Sequence, residues 1–228
     1  VRLGRGQGPH HFYDYFDDVR RVVDALGCER LLLLGHSMGG SVATGTAALL
    51  GARVRALVLL EGMGPTFSDL EKSRSRLGRW VSALGQPGVD GDVAHRRRRR
   101  RVMRDRAEAA EKLRGFNPRF TEARAGALAA SFTEAVEGGG AWRFDPLHRP
   151  PAAKPYIPGE ARALWAAVEA PTLSLFGALG FAPPDLAERH ALLREVVVGV
   201  IPGVGHNIHH ERPELVAGVL RDLHRAEQ

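Results

Sequence analysis

A run of four leucines that leads into Gly-His-Ser-Met-Gly constrains this chain more than any other feature. The run is Leu31–Leu34, and the motif is Gly35–Gly39. This pattern matches the Gly-x-Ser-x-Gly turn, in which a buried strand turns sharply into a helix and presents a serine. We expect a strained backbone at Ser37, so that a Cβ atom at Gly35 or Gly39 would collide with the turn. The pattern predicts that Ser37 is a nucleophile.

Residue spacing on both sides of this turn predicts an α/β fold. Segments with apolar residues at helical spacing alternate with short apolar runs that are typical of buried parallel strands. The predicted helices cover Phe12–Leu26, Ser41–Leu50, Pro184–Leu193 and Pro213–His224. The predicted strands cover Leu31–Leu34, Val54–Leu60, Thr172–Phe176 and Val196–Ile201. We therefore expect a parallel sheet that helices cover on both faces.

The middle of the chain has a different character. Residues 65–165 contain little strand signal and are rich in arginine, with helical patterns over Arg104–Leu113 and Thr121–Val136. We interpret this segment as an inserted, mostly helical cap. It would separate the first part of an α/β core, residues 1–64, from the last part, residues 166–228.

Composition narrows the class of protein. The chain has 228 residues, of which 44% are hydrophobic, as in a globular domain. It contains no apolar run of about 18 residues, so we expect no membrane span. The single cysteine, Cys28, excludes an internal disulfide and favours a reducing, cytoplasmic location.

The net charge of +6 raises the possibility of nucleic-acid binding. The basic residues are almost all arginines, and six of them form the run Arg96–Arg101. Few aromatic residues lie near this run, so no platform for base stacking is visible. We favour a solvated helix face or cap loop over a nucleic-acid site, and we expect no nucleic-acid partner.

A serine hydroxyl needs a base to accept its proton, and the base needs an acid that orients it and stabilises its charged form. His206 is the predicted base, because it follows the last apolar strand in the glycine-rich segment Pro202–Asn207. His209 and His210 are competitors. We expect both to be surface residues nearer the next helix.

These segments together resemble the α/β-hydrolase superfamily from Arg5 to the C-terminus. The matching residues are Arg5–Gly8, Gly35–Gly40, Pro171–Gly177 and Pro202–His206. The chain is similar in particular to a serine-hydrolase-like subgroup, on the residues Leu59–Gly62 and Trp142–Arg149. The resemblance implies an α/β-hydrolase fold with a cap and a Ser-His-acid site that works through an acyl-enzyme. It implies no cofactor and no metal.

The acid departs from the superfamily pattern. Its usual position is just beyond the strand Thr172–Phe176, and the residues there, Gly177–Phe181, include no carboxylate. The alternative superfamily position is the end of the preceding strand, where Glu61 stands. We predict Glu61 as the acid, although it could instead cap local backbone amides. Asp185 is the competitor, with a helix start as its expected role.

The N-terminal part of the chain departs further. The superfamily has about four strands before the Arg-Gly-x-Gly loop, and this sequence shows none of them. We therefore expect an N-terminally truncated α/β-hydrolase fold in which Leu31–Leu34 forms an apolar sheet edge; the alternative is that another chain supplies the missing strands. The resemblance assigns one oxyanion-hole amide to Met38, and the donor of the second amide is not visible in the sequence.

The sequence thus favours a serine hydrolase of small esters or related acyl compounds, with Ser37, His206 and Glu61 as its catalytic residues. His36, Trp142, His148 and Arg149 are candidates for the substrate pocket. For the cap residues the alternative is that they pack the cap onto the core. The competing function is a catalytically impaired hydrolase or an interaction protein that lacks a complete oxyanion hole.

Overall fold

The computed structural model of the protein describes residues 11–64, 72–84, 101–144, 154 and 156–226. These residues divide into two compact units. Unit 1 comprises residues 11–64, 72, 154 and 156–226, and unit 2 comprises residues 73–84 and 101–144. Parts of several predictions lie outside the described residues, namely Arg5–Gly8, Arg96–Arg100, His148 and Arg149.

Helices and strands alternate in unit 1, and all of the predicted strands are present. In chain order the helices and strands of both units are α1 (Asp14–Ala25), β1 (Leu31–His36), α2 (Met38–Leu50), β2 (Val54–Leu60), α3 (Ser73–Leu84), β3 (Val102–Met103), α4 (Arg106–Phe116), α5 (Glu122–Phe132), β4 (Thr133–Val136), β5 (Gly139–Trp142), α6 (Pro158–Ala166), β6 (Thr172–Gly177), α7 (Leu186–His190), β7 (Val196–Ile201), α8 (Ile208–Glu211) and α9 (Pro213–Arg225). Strands β3, β4 and β5 and helices α3, α4 and α5 belong to unit 2.

Unit 1 is built on a parallel sheet with the strand order β1-β2-β6-β7. The strands run in the same direction, so their carboxyl ends meet at one edge of the sheet. Ser37 follows β1, Glu61 follows β2, and the loop that contains His206 follows β7. The topology therefore brings all of these residues to the same edge, where α/β sheets place their ligands.

Strand β2 shows why this sheet is stable. It is an inner strand, and Leu57, Val58, Leu59 and Leu60 are all fully buried. Alternate side chains point to opposite faces, so Leu57 and Leu59 pack in one apolar cluster, and Val58 and Leu60 pack in another. Burial of each such side chain stabilises the fold by about 1.5–3 kcal/mol. The continuous apolar run thus reflects a sheet that is covered on both faces.

Among the described residues, β1 lies at one edge of this sheet and β7 at the other. The edge position of β1 agrees with the expectation from the sequence, and Leu31–Leu34 are partly buried there. No helix in the described part of the chain is long and apolar enough to cross a membrane.

Unit 2 contains a small antiparallel sheet with the order β3-β5-β4, besides helices α3, α4 and α5. The sequence did not predict this sheet, and the helix expected over Thr121–Val136 ends at Phe132. Strand β5 gives little strand signal because it contains Gly139 and Gly140. Glycine is required at 139, where a Cβ atom would lie 2.0 Å from the Met103 carbonyl oxygen.

Candidate active site

Ser37 lies at the sharp turn between β1 and α2, as predicted. Its backbone has φ 53° and ψ −124°, a conformation that is rare for any residue other than glycine. The Ser37 N–H donates a hydrogen bond to the carbonyl oxygen of Leu60 (3.0 Å), which ties the turn to the end of β2. This hydrogen bond to β2 stabilises the strained backbone conformation of Ser37 and keeps the residue at the carboxyl edge of the sheet.

The glycines around Ser37 do not all have the role expected of them. A Cβ atom at Gly35 would lie 2.4 Å from the carbonyl oxygen of Gly39, and one at Gly40 would lie 2.3 Å from the Cα atom of Gly62. The space beside Gly39 is open, so the predicted collision at Gly39 was wrong. The close approach that requires small residues is between Gly40 and the segment after β2.

The Glu61 side chain is fully buried and has three hydrogen-bond partners. Oε1 accepts from the Gly177 N–H (3.0 Å), and Oε2 accepts from the Phe181 N–H (3.0 Å). Oε2 also lies 2.5 Å from Nδ1 of His206. Glu61 therefore caps backbone amides and contacts the histidine at the same time, so the two roles considered for it are compatible. The left-handed Glu61 backbone, with φ 49°, accompanies this arrangement.

Gly180 makes room for the Glu61 carboxylate. A Cβ atom at position 180 would lie 1.6 Å from Glu61 Oε1, well inside van der Waals contact. The Gly180 N–H donates to the Gly177 carbonyl oxygen (2.9 Å), so residues 177–180 form a tight turn over the carboxylate. The segment where the superfamily usually has its acid thus serves here as the binding site for the carboxylate of another strand.

His206 lies in the loop between β7 and α8, with its side chain 40% exposed. Nδ1 is occupied by Glu61, which leaves Nε2 as the ring nitrogen that can exchange a proton with another group. The Gly205 N–H donates to Glu211 (2.9 Å), and the Leu179 N–H donates to the Val204 carbonyl oxygen (2.9 Å). These contacts hold the two residues that precede His206.

His36 connects the serine turn to the His206 loop. Its Nε2 lies 2.8 Å from the His206 carbonyl oxygen, and the two rings have centroids 4.7 Å apart. Burial, the largest cause, lowers the pKa of His36, which favours the neutral ring with a proton on Nε2. Among the described residues, no hydrogen bond joins the Ser37 hydroxyl to His206, so His206 is joined directly to Glu61 and only through His36 to the serine turn.

His209 is not the surface residue that the sequence predicted. It lies on the short helix α8, half-buried, with ring centroids 4.3 Å from His36 and 3.8 Å from His210. Burial, followed by the positive charges of His210, His36 and His206, lowers the pKa of His209 to about 4. The neutral ring fills space beside His36 and contributes no contact to Glu61.

Asp185, the competing acid, belongs to a different part of unit 1. Its Oδ1 accepts a hydrogen bond from Arg189 Nε (2.9 Å) and forms an ion pair with a terminal nitrogen of Arg189 (2.7 Å), and Arg162 lies 3.9 Å away. The hydrogen bond from Arg189 is the main reason why the pKa of Asp185 is lowered. Asp185 stands just before α7, but its side chain makes no cap there. The structure therefore brings Glu61, and not Asp185, to His206.

Arg189 is a buried residue that the sequence did not single out. Its side chain is 1% exposed and donates to the carbonyl oxygens of Met63 (2.7 Å) and Gly64 (3.1 Å). The guanidinium also lies 5.3 Å from the centre of the Trp165 ring. Arg189 thus fixes the chain just after Glu61. Because most of its partners are backbone atoms, no residue pattern could have revealed it.

The structure describes only some of the remaining candidate site residues. Met38 is the first residue of α2, where backbone N–H groups have no acceptor within the helix, so its amide is available to an anion. Trp142 lies on β5 in unit 2. His148 and Arg149 lie outside the described residues, as does the Arg5–Gly8 loop. Within the described ranges, no three His, Cys, Asp or Glu side chains are grouped so that they could hold a metal ion.

Residues 2–219 match the sequence profile of the Alpha/beta hydrolase family. The chain belongs to this family. It is also 32% identical, over 125 residues, to a protein described as "Serine hydrolase-like protein" from Danio rerio. That alignment covers 55% of this chain and 37% of the zebrafish protein. The predicted superfamily is therefore confirmed, and the match supports hydrolysis as the general class of reaction.

Solved structures confirm the α/β-hydrolase fold. A hypothetical protein from Pseudomonas aeruginosa PAO1 superposes with a TM-score of 0.78 and 26% identity, over 99% of this chain and 77% of that one. The thioesterase domain from the curacin biosynthetic pathway gives a TM-score of 0.72 at 24% identity, over 90% and 70% of the two chains. An esterase from Mycobacterium tuberculosis gives 0.63 at 18% identity, over 90% and 66%. The last two, at these identities, show the fold alone.

Proposed function

We propose that this chain is a serine hydrolase of small esters or related acyl compounds that works through an acyl-enzyme. The observation that carries the proposal is the pair formed by Glu61 and His206. A fully buried carboxylate lies 2.5 Å from Nδ1 of a histidine, at the same sheet edge as the strained Ser37. A carboxylate in this position can orient the ring and stabilise its protonated form, which is what a general base requires.

In the proposed acylation step, Ser37 Oγ attacks the acyl carbon of the substrate while His206 Nε2 takes the hydroxyl proton. The electron pair of the C=O bond moves to the oxygen, which accepts a hydrogen bond from the Met38 N–H. The C–O bond to the leaving group then breaks, and His206 gives its proton to the departing alcohol. Glu61 stabilises the transient positive charge of His206 throughout.

In the proposed deacylation step, His206 Nε2 takes a proton from water as the water oxygen attacks the Ser37 ester. Collapse of the second tetrahedral intermediate returns the proton to Ser37 Oγ and releases the carboxylic acid. Both steps need Ser37 Oγ within hydrogen-bond reach of His206 Nε2. Such contacts are often long before substrate binds, so a shift of the Ser37 or His206 side chain on binding is part of the proposal.

A fluorophosphonate probe tests the proposal, since it reacts with serines that are activated by a base. We expect labelling of Ser37 in the wild-type protein and none in Ser37→Ala. His206→Gln should label far more slowly, although its serine is intact. Ser82, a serine of unit 2 on α3, gives a matched control, because Ser82→Ala should label like the wild type. A protein that is folded by circular dichroism and is not labelled would exclude the serine-hydrolase proposal.

A catalytically impaired hydrolase, or a protein that acts through interactions, is the second candidate. It is favoured by the lack of a Ser37–His206 hydrogen bond in the described part of the chain. Loss of one oxyanion donor also slows such enzymes by about a hundredfold or more, and only the Met38 amide has been assigned here. The same experiment separates the candidates. The second candidate predicts that the folded, monodisperse protein neither reacts with the probe nor hydrolyses p-nitrophenyl esters.

A further inference from the structure

An apolar hollow of about 410 Å³ lies in unit 2. Its lining includes one leucine, four aromatic residues and one cation: Leu113, Phe116, Phe132, Trp142, Phe144 and Arg143. All of them come from α4, α5, β5 and the two residues that follow β5. The hollow is therefore formed by unit 2 alone. Its volume lies near the lower end of the range for small-molecule sites in proteins.

The aromatic walls of this hollow are unusually exposed. Phe116 is 86% exposed, and Phe132 and Phe144 are about 40% exposed. The rings of Trp142 and Phe144 lie 6.5 Å apart and within 24° of parallel, so they present flat faces. A contiguous exposed apolar surface of this kind is uncommon unless it binds something. Transfer of an alkyl or aryl group from water to these walls would be favourable.

Arg143 gives the hollow a positive charge. Its Nε donates to the carbonyl oxygen of Thr133 (2.9 Å), and its backbone N–H donates to that of Phe132 (2.8 Å). The guanidinium is thus oriented, and no carboxylate of the described residues forms an ion pair with it. The lining itself contains no acidic side chain. An anion is therefore the head group that this site would favour.

We propose that unit 2 binds a small amphipathic carboxylate. Its alkyl or aryl body would occupy the hollow, and its carboxylate would pair with Arg143. The volume of the hollow, about 410 Å³, suits a medium-chain or aryl acid. The proposal uses the geometry of unit 2 only, and it holds or fails independently of the proposed hydrolysis.

Bromodecanoate, a brominated medium-chain acid, is the probe, because bromine quenches a tryptophan that it contacts. Of the three tryptophans, Trp142 lines the hollow, Trp80 on α3 does not line it, and Trp165 is fully buried in unit 1. We expect saturable quenching of the wild-type protein. Trp142→Phe keeps an aromatic wall and should remove the quenching. Phe116→Ala removes a mostly exposed wall residue without disturbing the core, and it should weaken binding several-fold.

Competition by decanoate and decanol isolates the head group. Decanoate should displace the probe about ten times better than decanol, because one charge-assisted hydrogen bond at a partly exposed site raises affinity by about that factor. Arg143→Gln should abolish that difference and leave decanol unchanged. Arg106→Gln is the matched control, since it removes an exposed arginine of unit 2 that does not line the hollow.

Any of the following results would overturn the proposal. The first is a folded wild-type protein without saturable quenching. The second is quenching that persists in Trp142→Phe. The third is equal displacement by decanoate and decanol, or an equal effect of Arg143→Gln and Arg106→Gln. The measurement needs no turnover, so a catalytically dead protein would still give a result.

Discussion

Two carboxylates of unit 1, Glu61 and Asp185, have side-chain partners that differ in their chemistry. Glu61 is fully buried and contacts Nδ1 of His206, and an imidazole ring has nitrogens that can accept and donate a proton. Asp185 is 24% exposed and pairs with Arg189, whose guanidinium stays charged at any accessible pH. The first pair can carry a proton between groups. The second pair can only hold structure in place.

The surroundings of the two pairs differ in the same way. The Glu61 pair lies beside His36 and His209, a set of rings whose charge depends on pH. The guanidinium of the Asp185 pair binds the backbone carbonyls of Met63 and Gly64, which have no charge to change. We infer that changes at Glu61 act mainly on activity, and that changes at Arg189 act mainly on the free energy of unfolding.

The largest expected effect is that of Glu61→Gln on activity. The amide keeps the size of the side chain but cannot stabilise a protonated His206 and favours the wrong ring tautomer. If the proposed role of Glu61 holds, we expect kcat to fall by about a thousandfold to ten-thousandfold, as for the equivalent change in known serine triads. The measurement is ester hydrolysis per folded molecule. Unfolding should also become somewhat easier, because the amide nitrogen would face a backbone N–H.

Asp185→Asn is the matched control for Glu61→Gln. Its carboxylate is likewise bonded to a neighbour, but that neighbour is Arg189, so activity per folded molecule should change by no more than a few-fold. The thermal midpoint should fall instead. If Asp185→Asn removed activity and Glu61→Gln did not, the roles assigned to the two carboxylates would be reversed.

The sequence predicted the Glu61 site because the signals are local. Ser37 stands in a five-residue motif, Glu61 ends an apolar strand, and His206 follows a strand in a glycine-rich loop. Parallel strands bring such ends to one edge, so the three residues could be expected to lie near each other. The prediction could not extend to Gly180, whose missing Cβ makes room for a carboxylate 119 positions earlier in the chain.

The Arg189 region could not be predicted in the same way. Arg189 binds main-chain oxygens, which every residue carries, so its partners leave no trace in the sequence. Asp185 could be placed near a helix start, but its pairing with Arg189 was not predicted. His209 was misplaced because α8 is too short to show a periodic pattern, and the small sheet of unit 2 was missed because glycines form its central strand.

The second prediction concerns Arg189→Leu, which removes the cation from the carbonyl oxygens of Met63 and Gly64 and from the partly exposed carboxylate of Asp185. Removal of one partner of a fully buried ion pair costs about 3–5 kcal/mol, and the partial exposure of Asp185 places the expected loss at about the lower end of that range. We expect a loss of this size in urea unfolding, with kcat per folded molecule changed only a few-fold. Arg162→Leu is the control, because Arg162 is 40% exposed and 3.9 Å from Asp185, and it should cost less than about 1 kcal/mol.

An Arg189→Leu protein that is as stable as the wild type would contradict the structural role of this pair. A protein that keeps its stability and loses activity would place Arg189 with the Glu61 site. The hydrogen bond from Arg189 is the main reason why the pKa of Asp185 is lowered, and the variant lacks it. The stabilisation that this lowered pKa gives the wild type is present at pH 7 and is lost in acid, so the difference in stability should be smaller in acid than at pH 7.

The smallest expected effect tests the pH sensitivity of the histidine region. Nδ1 of His209 is buried and has no hydrogen-bond partner among the described residues, so a proton added there would gain no acceptor. Burial and the charges of His210, His36 and His206 lower the pKa of His209 to about 4, below the value of about 6.5 in an unfolded chain. The unfolded chain therefore binds the proton more readily between these two values.

It follows that His209 contributes stability above pH 6.5, and that this contribution is lost as the pH falls from 6.5 towards 4. We expect the wild-type protein to lose about 1 kcal/mol more than His209→Gln over this range, since the half-exposed ring feels only part of the full effect. Urea unfolding of both proteins at pH 7 and pH 4.5 measures the difference. His36, His206 and His210 are present in both proteins, so their contribution largely cancels. Equal pH dependence in the two proteins would show that solvent reaches the His209 ring, and that this region is no more sensitive to pH than the one around Arg189.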